Sequence, residues 1–128
     1  MVLLDTCALF WWVAMPDRMS VAAARACRRM ESEGGVVSSI SFWELGVQQR
    51  KGKIDLGVPF DDFCDRVRST GILEIVPVTL AIWQESLRLP WEHRDPADRV
   101  IVATARLRGL PIVTADEGIR SFHREAIW

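Results

Sequence analysis

The sequence has little lysine. Lys51 and Lys53 are the only two, and the remaining positive charge is carried by arginine. Arginine forks suit phosphate groups, although a surface arginine is most simply read as solvated. The formal net charge of −1 over 128 residues gives no bulk attraction to a polyanion or an anionic membrane, so any such binding has to come from local patches. Cysteine is also scarce. Cys7, Cys27 and Cys64 are odd in number and none is close to another in sequence, which excludes a disulfide framework and zinc-ligand spacing and points to reduced, cytoplasmic thiols. A long hydrophobic run is missing as well. The opening stretch MVLLDTCALFWWVAM is apolar, but Asp5 interrupts it and no basic segment precedes it. It is too short to cross a membrane and makes a poor signal peptide. Repeats, linkers and low-complexity segments are absent. With 49% hydrophobic and 26% charged residues, the expectation is one globular domain over residues 1–128, long enough to bury a real core.

Short apolar runs alternate with helical segments. Residues 1–5, 36–40, 72–78 and 111–116 read as strands. Residues 19–32, 41–53, 59–70, 80–89 and 96–109 read as helices, broken by glycines at 34–35, 71 and 109 and by Pro90. Ser41 is the expected N-cap of the second helix. This alternation predicts an α/β fold with a mainly parallel central sheet covered by helices on both faces.

Four acids occupy related places. Asp5 ends the first strand, Glu44 follows the second, Asp116 ends the last, and Asp98 stands at the start of the helix before it. Ligands of open parallel sheets bind beyond the carboxyl ends of the strands. Each acid taken alone also fits a capping role. Ser41 and Glu44 have capping-box spacing. Asp95 before Pro96 fits an N-cap, Asp98 fits a dipole partner, and Asp116 fits the cap of a last short helix.

Helix phase separates Asp98 from Asp95. At about 100° per residue, Ile101, Val102 and Ala105 lie within about 60° of Asp98, so Asp98 continues an apolar stripe that should face the sheet. An inward carboxylate costs several kcal/mol unless it is paired, and clustered like charges raise one another's pKa. A divalent cation removes both problems, and hard carboxylate oxygens with no histidine or cysteine nearby suit Mg²⁺ or Mn²⁺ rather than zinc. Glu44 shares its helix face with Val47, Gln48 and Lys51, which places it at the border of such a site. His93 and His123 read as lone histidines in polar surroundings. One of the adjacent Trp11 and Trp12 is expected to lie off the core face, free for a subunit or partner contact.

The same residues carry a family resemblance. LLDT at 3–6, SSISFWELGVQQRKGKI at 38–54, HRDPADRVIVATA at 93–105 and IVTAD at 112–116 occur in an order that resembles the PIN-domain ribonucleases, specifically the VapC-type toxins of bacterial toxin–antitoxin pairs. The resemblance runs from end to end. Ala97, where the family often has phenylalanine, and Ile119, where an aromatic is common, depart from the pattern. What the resemblance implies is a PIN-like fold and an Mg²⁺- or Mn²⁺-dependent endoribonuclease with Asp5, Glu44, Asp98 and Asp116 as catalytic and metal-binding acids. It also implies supporting roles for Thr6, Thr114 and Asp95, a homodimer, and a small VapB-like antitoxin whose tail occupies the active-site groove. RNA contacts would come from Arg50, Lys51, Lys53, Arg94 and Arg99. Two other readings compete. One is a phosphatase with Asp5 as nucleophile, which would want a second aspartate where Cys7 stands. The other is a PIN-like module that binds without turnover.

Overall fold

The computed structural model describes all residues, Met1–Trp128. Five parallel strands form one sheet in the order β3-β2-β1-β4-β5, with β1 at Leu3–Leu4, β2 at Gly35–Ser38, β3 at Leu73–Val76, β4 at Ile112–Val113 and β5 at Ala126–Ile127. The helices are α1 (Thr6–Ala14), α2 (Val21–Glu33), α3 (Ser39–Arg50), α4 (Phe60–Ser69), α5 (Leu80–Arg88), α6 (Pro96–Arg108) and α7 (Glu117–Phe122), with a 3₁₀ turn at Pro16–Arg18. The α/β class and the parallel sheet covered on both faces are as expected.

Strand alternation divides the core. Leu4, Val37 and Val113 point to one face, where Ala8, Leu9, Cys27, Met30, Phe63 and Val67 cover them. Leu3, Val36 and Ile112 point to the other, under Val100, Ile101, Val102, Ala105 and Ile119. The period of two along each short strand thus supplies both cores at once. Ala97 and Ile119 are both buried, so the smaller side chains are accommodated within the packing. Gly35 is required by close packing, because a Cβ there would lie 2.5 Å from Cγ of Met30.

Several boundaries differ from the sequence reading. The strands are shorter, and β5, a two-residue edge strand, was not anticipated. The largest shift is at α3. Ser38, the last residue of β2, is extended and its hydroxyl accepts from the Ile40 amide at 3.2 Å. The helix therefore begins directly off the strand, and Ser41 is a fully buried interior residue. The capping box of Ser41 and Glu44 does not form. At α6 the expectation holds: Asp95 caps the Ala97 amide at 2.9 Å, Pro96 follows, and Gly109 closes the helix with φ +64°.

Trp11 and Trp12 are both half-buried. Trp11 packs on Trp128 with ring centroids 5.3 Å apart, and Trp12 donates its indole N–H to Glu31 at 3.3 Å. Neither stands free of the fold. The open tryptophans are Trp43 and Trp83 instead.

Candidate functional site

The chain leaves β1 toward β2 on one side of the sheet and returns through β4 on the other. The crevice of this sheet order lies beyond the carboxyl ends of β1 and β4. Asp5 and Thr114 are the residues that directly follow those strands. Asp5 is 4% exposed. Its Oδ1 accepts from the Ala8 amide at 2.8 Å, which starts α1, and its Oδ2 accepts from the Thr114 hydroxyl. The same threonine oxygen accepts from the Asp116 amide at 3.0 Å. Asp116 then caps α7, its Oδ1 accepting from Ile119 at 2.9 Å. Asp5 and Asp116 therefore cap helices with one oxygen each.

Glu44 comes from α3. With Ser41 turned inward, the Thr6 hydroxyl lies 3.0 Å from Ser41 Oγ and donates to Glu44 Oε1. The glutamate is half-buried at the border of the crevice. Asp98 enters from the first turn of α6 with its side chain 17% exposed. Its Oδ2 is 2.8 Å from His93 Nε2. Ligating atoms of His93, Asp98 and Asp116 all lie within 4.8 Å of one another. His93 is thus not the lone histidine that the sequence suggests, and a ring nitrogen does stand beside the carboxylates where the sequence reading expected none.

The electrostatics bind the four acids into one site. Burial raises Asp5 to about 6 against the hydrogen bonds from Thr114 and Ala8, with Asp116 and Glu44 adding to the rise. Burial likewise raises Asp98 to about 6, opposed by the His93 hydrogen bond and reinforced by Asp95 and Asp116. Glu44 is raised by burial, opposed by Thr6, with Asp95 and Asp98 contributing. The Cys7 thiol is pushed up to about 12 by partial desolvation, although the residue itself stands exposed, and then by Asp5, Glu44, Asp98 and Asp116. The same field makes Cys7 a poor nucleophile. The placement itself is geometric: Thr114 links Asp5 to the Asp116 turn, Thr6 next to Asp5 holds Glu44, and ligating atoms of Asp98 and Asp116 lie within 4.8 Å of each other.

No lysine or arginine forms an ion pair with any of the four. A concentrated set of oxygen donors without a compensating side-chain cation fits a hard divalent ion. Asp5, Asp98 and Asp116 are the residues that would hold it, with Glu44 at the edge. As a phosphatase nucleophile Asp5 fits poorly, since Cys7 supplies no acid two residues on.

The basic residues separate into three groups. Lys53 lines a cavity of about 460 Å³ that opens from Thr6 and Cys7 and is also lined by Arg18 and Gln48. Arg18 has no signal in the sequence; only the fold brings the 3₁₀ turn alongside. Arg50 and Lys51, at the exposed end of α3, do not line this cavity, and Arg94 is exposed beside His93. Arg99, expected to meet RNA, is committed elsewhere. Its guanidinium donates to the carbonyls of Ser86 at 3.0 Å, His93 at 3.1 Å, Leu89 at 3.2 Å and Trp91, and so clamps the segment between α5 and α6.

Comparison with known proteins follows the same outline. The sequence profile of the PIN domain matches residues 2–125. The chain belongs to the PIN-domain family. It is 35% identical over 127 residues to ribonuclease VapC22 of Mycobacterium tuberculosis, an alignment that covers 96% of this PIN domain and 92% of that protein. The fold is shared with VapBC2 from Rickettsia felis, solved bound to a promoter DNA fragment, at a TM-score of 0.68 and 15% identity over the whole of both chains. It is also shared with M. tuberculosis VapC20, a toxin that cleaves the sarcin–ricin loop, at 0.61 and 15% identity over 91% of each chain.

Proposed function

We propose that this PIN domain is an endoribonuclease toxin that hydrolyses RNA phosphodiester bonds with Mg²⁺ or Mn²⁺, acts in the cytoplasm, and is held in check by a cognate VapB-like antitoxin. The observation that carries this reading is the placement of Asp5, Glu44, Asp98 and Asp116 around the crevice beyond β1 and β4, tied together through Thr114, Thr6 and the Asp98–Asp116 spacing, with no lysine or arginine paired to them. Near end-to-end similarity to a named ribonuclease supports it, as does the fold shared with toxins solved in antitoxin complexes.

Asp5, Asp98 and Asp116 would hold a divalent ion, which would supply Lewis acidity for charge building on the phosphate and for activating water near neutral pH. The protein's share is orientation. Thr114 fixes one oxygen of Asp5 and, through the Asp116 amide, sets the turn from which Asp116 projects. Thr6 fixes one oxygen of Glu44. Asp95 sets where α6 begins and hence where Asp98 stands. Lys53 and Arg18, beside the cavity that opens from Thr6, are suited to flanking phosphates of a bound strand. In-line attack would leave 5′-phosphate and 3′-hydroxyl ends. The resemblance that the motifs carry extends the proposal to a homodimer.

The test is incubation of purified protein with total RNA and Mg²⁺ or Mn²⁺, followed by mapping of the product ends. Discrete fragments with 5′-phosphates, lost on chelation and restored by metal, are expected. Cleavage that persists in excess chelator would reject the metal-dependent mechanism. Intact RNA under every metal condition would favour a module that binds without turnover.

A further inference from the structure

His93 lies outside the four acids, and its surroundings are more elaborate than a surface histidine requires. The segment that carries it, between Leu89 and Asp95, has no regular structure, yet its backbone is pinned by Arg99, which takes the carbonyls of Leu89, Trp91 and His93. The imidazole stacks on Trp91 with centroids 4.4 Å apart and planes 12° apart. Trp91 in turn stacks on Phe122 at 4.9 Å and 10°, and the Arg106 guanidinium sits 5.8 Å above that phenylalanine. From the other side α7 comes close. A Cβ on Gly118 would stand 3.3 Å from His93 Cε1 and 3.1 Å from Asp116 Oδ1. The ring is therefore fixed through its stack, its edge and its main chain. Its Nε2 is 2.8 Å from Asp98 Oδ2. Capping does not explain this construction, because Asp95 already caps α6.

We propose that His93 is a positioning residue for the carboxylate centre: its Nε2–H holds Oδ2 of Asp98, leaving the other oxygen of Asp98 and the carboxylate of Asp116 for the cation. A fixed N–H donor suits this role, because partners of ligating carboxylates commonly matter to metal affinity. The proposal rests on the metal-dependent reading above.

The test is calorimetric titration of the metal-free full chain with Mg²⁺ and, separately, with Mn²⁺. His93→Ala should weaken both ions by about 10- to 100-fold with their ratio unchanged. His93→Gln, whose carboxamide N–H can donate in place of Nε2, should recover most of the loss. Should the alanine variant fail to fold, His93→Asn, too short to reach Asp98, takes its place against His93→Gln. Trp91→Ala should give a smaller loss for both ions, because the donor remains but its support is gone. Unchanged affinity in the alanine variant would overturn the proposal. A loss confined to Mn²⁺ would also overturn it, because that marks a direct nitrogen ligand. Absence of binding by the wild-type chain would instead strike at the metal site as a whole.

Discussion

Asp95 and Asp98 stand three residues apart and do different work. Asp95 gives an oxygen to the Ala97 amide and fixes the start of α6. Asp98, one turn further on, meets His93 and the other acids. Asp95→Asn should therefore cost only a few tenths of a kcal/mol and Asp95→Ala about 1 kcal/mol, read from urea midpoints, because asparagine caps as well as aspartate and alanine does not. The raised pKa values of Asp5 and Asp98 have a linked consequence. In the metal-free protein both groups bind protons more tightly folded than unfolded, so their ionisation opposes folding. Stability should rise as pH falls from about 7 through the folded values near 6 toward the ordinary aspartate range, by up to about 3 kcal/mol for Asp5. Saturating Mg²⁺ should stabilise the ionised form and reverse that order. Melting temperatures at pH 5 and pH 7.5, with and without Mg²⁺, check both signs. Higher stability at pH 7.5 without metal would contradict the account of these two carboxylates. Asp98 could be picked out from sequence because helix phase put it on the stripe of Ile101, Val102 and Ala105. His93 could not, since an irregular segment has no period from which to read a neighbour.

At the scale of elements, the junctions between strand and helix do most to build the site. Ser38 caps α3 straight off β2, which turns Ser41 inward and hands Glu44 to Thr6. The sequence pointed to Ser41 as the cap, and it is the end of β2 that moves the cap to Ser38. Ser38→Ala should cost about 1 kcal/mol in chemical denaturation as a lost cap. The fork of Arg99 illustrates a second limit. A basic residue near an acidic helix start reads as a phosphate contact, and nothing local reveals that four carbonyls of the preceding segment will claim it. Arg99→Lys keeps the charge and loses the fork. It should destabilise the protein by about 2–4 kcal/mol in urea denaturation. A neutral effect would mean that the clamp is incidental.

At the scale of the whole molecule, alternation of short apolar strands with helices was enough to read the parallel sheet, and the acids that end strands marked the edge where the four carboxylates gather. The strand order was not in the sequence, because five short apolar runs carry no record of their neighbours. That order puts β1 beside β4 and so joins Asp5 to Thr114 across 109 residues. β5, two residues at the sheet edge, is too short to have a pattern. The central claim is that four carboxylates from separate elements make one metal-dependent nuclease centre, and one comparison tests it most directly. Wild-type protein and Asp98→Asn are given the same RNA at the same Mg²⁺ or Mn²⁺ concentration, with circular dichroism confirming that both are folded. The account predicts that cleavage by the folded variant falls at least about 100-fold, as expected when a charged group at the reacting centre is removed. Cleavage equal to wild type would contradict it.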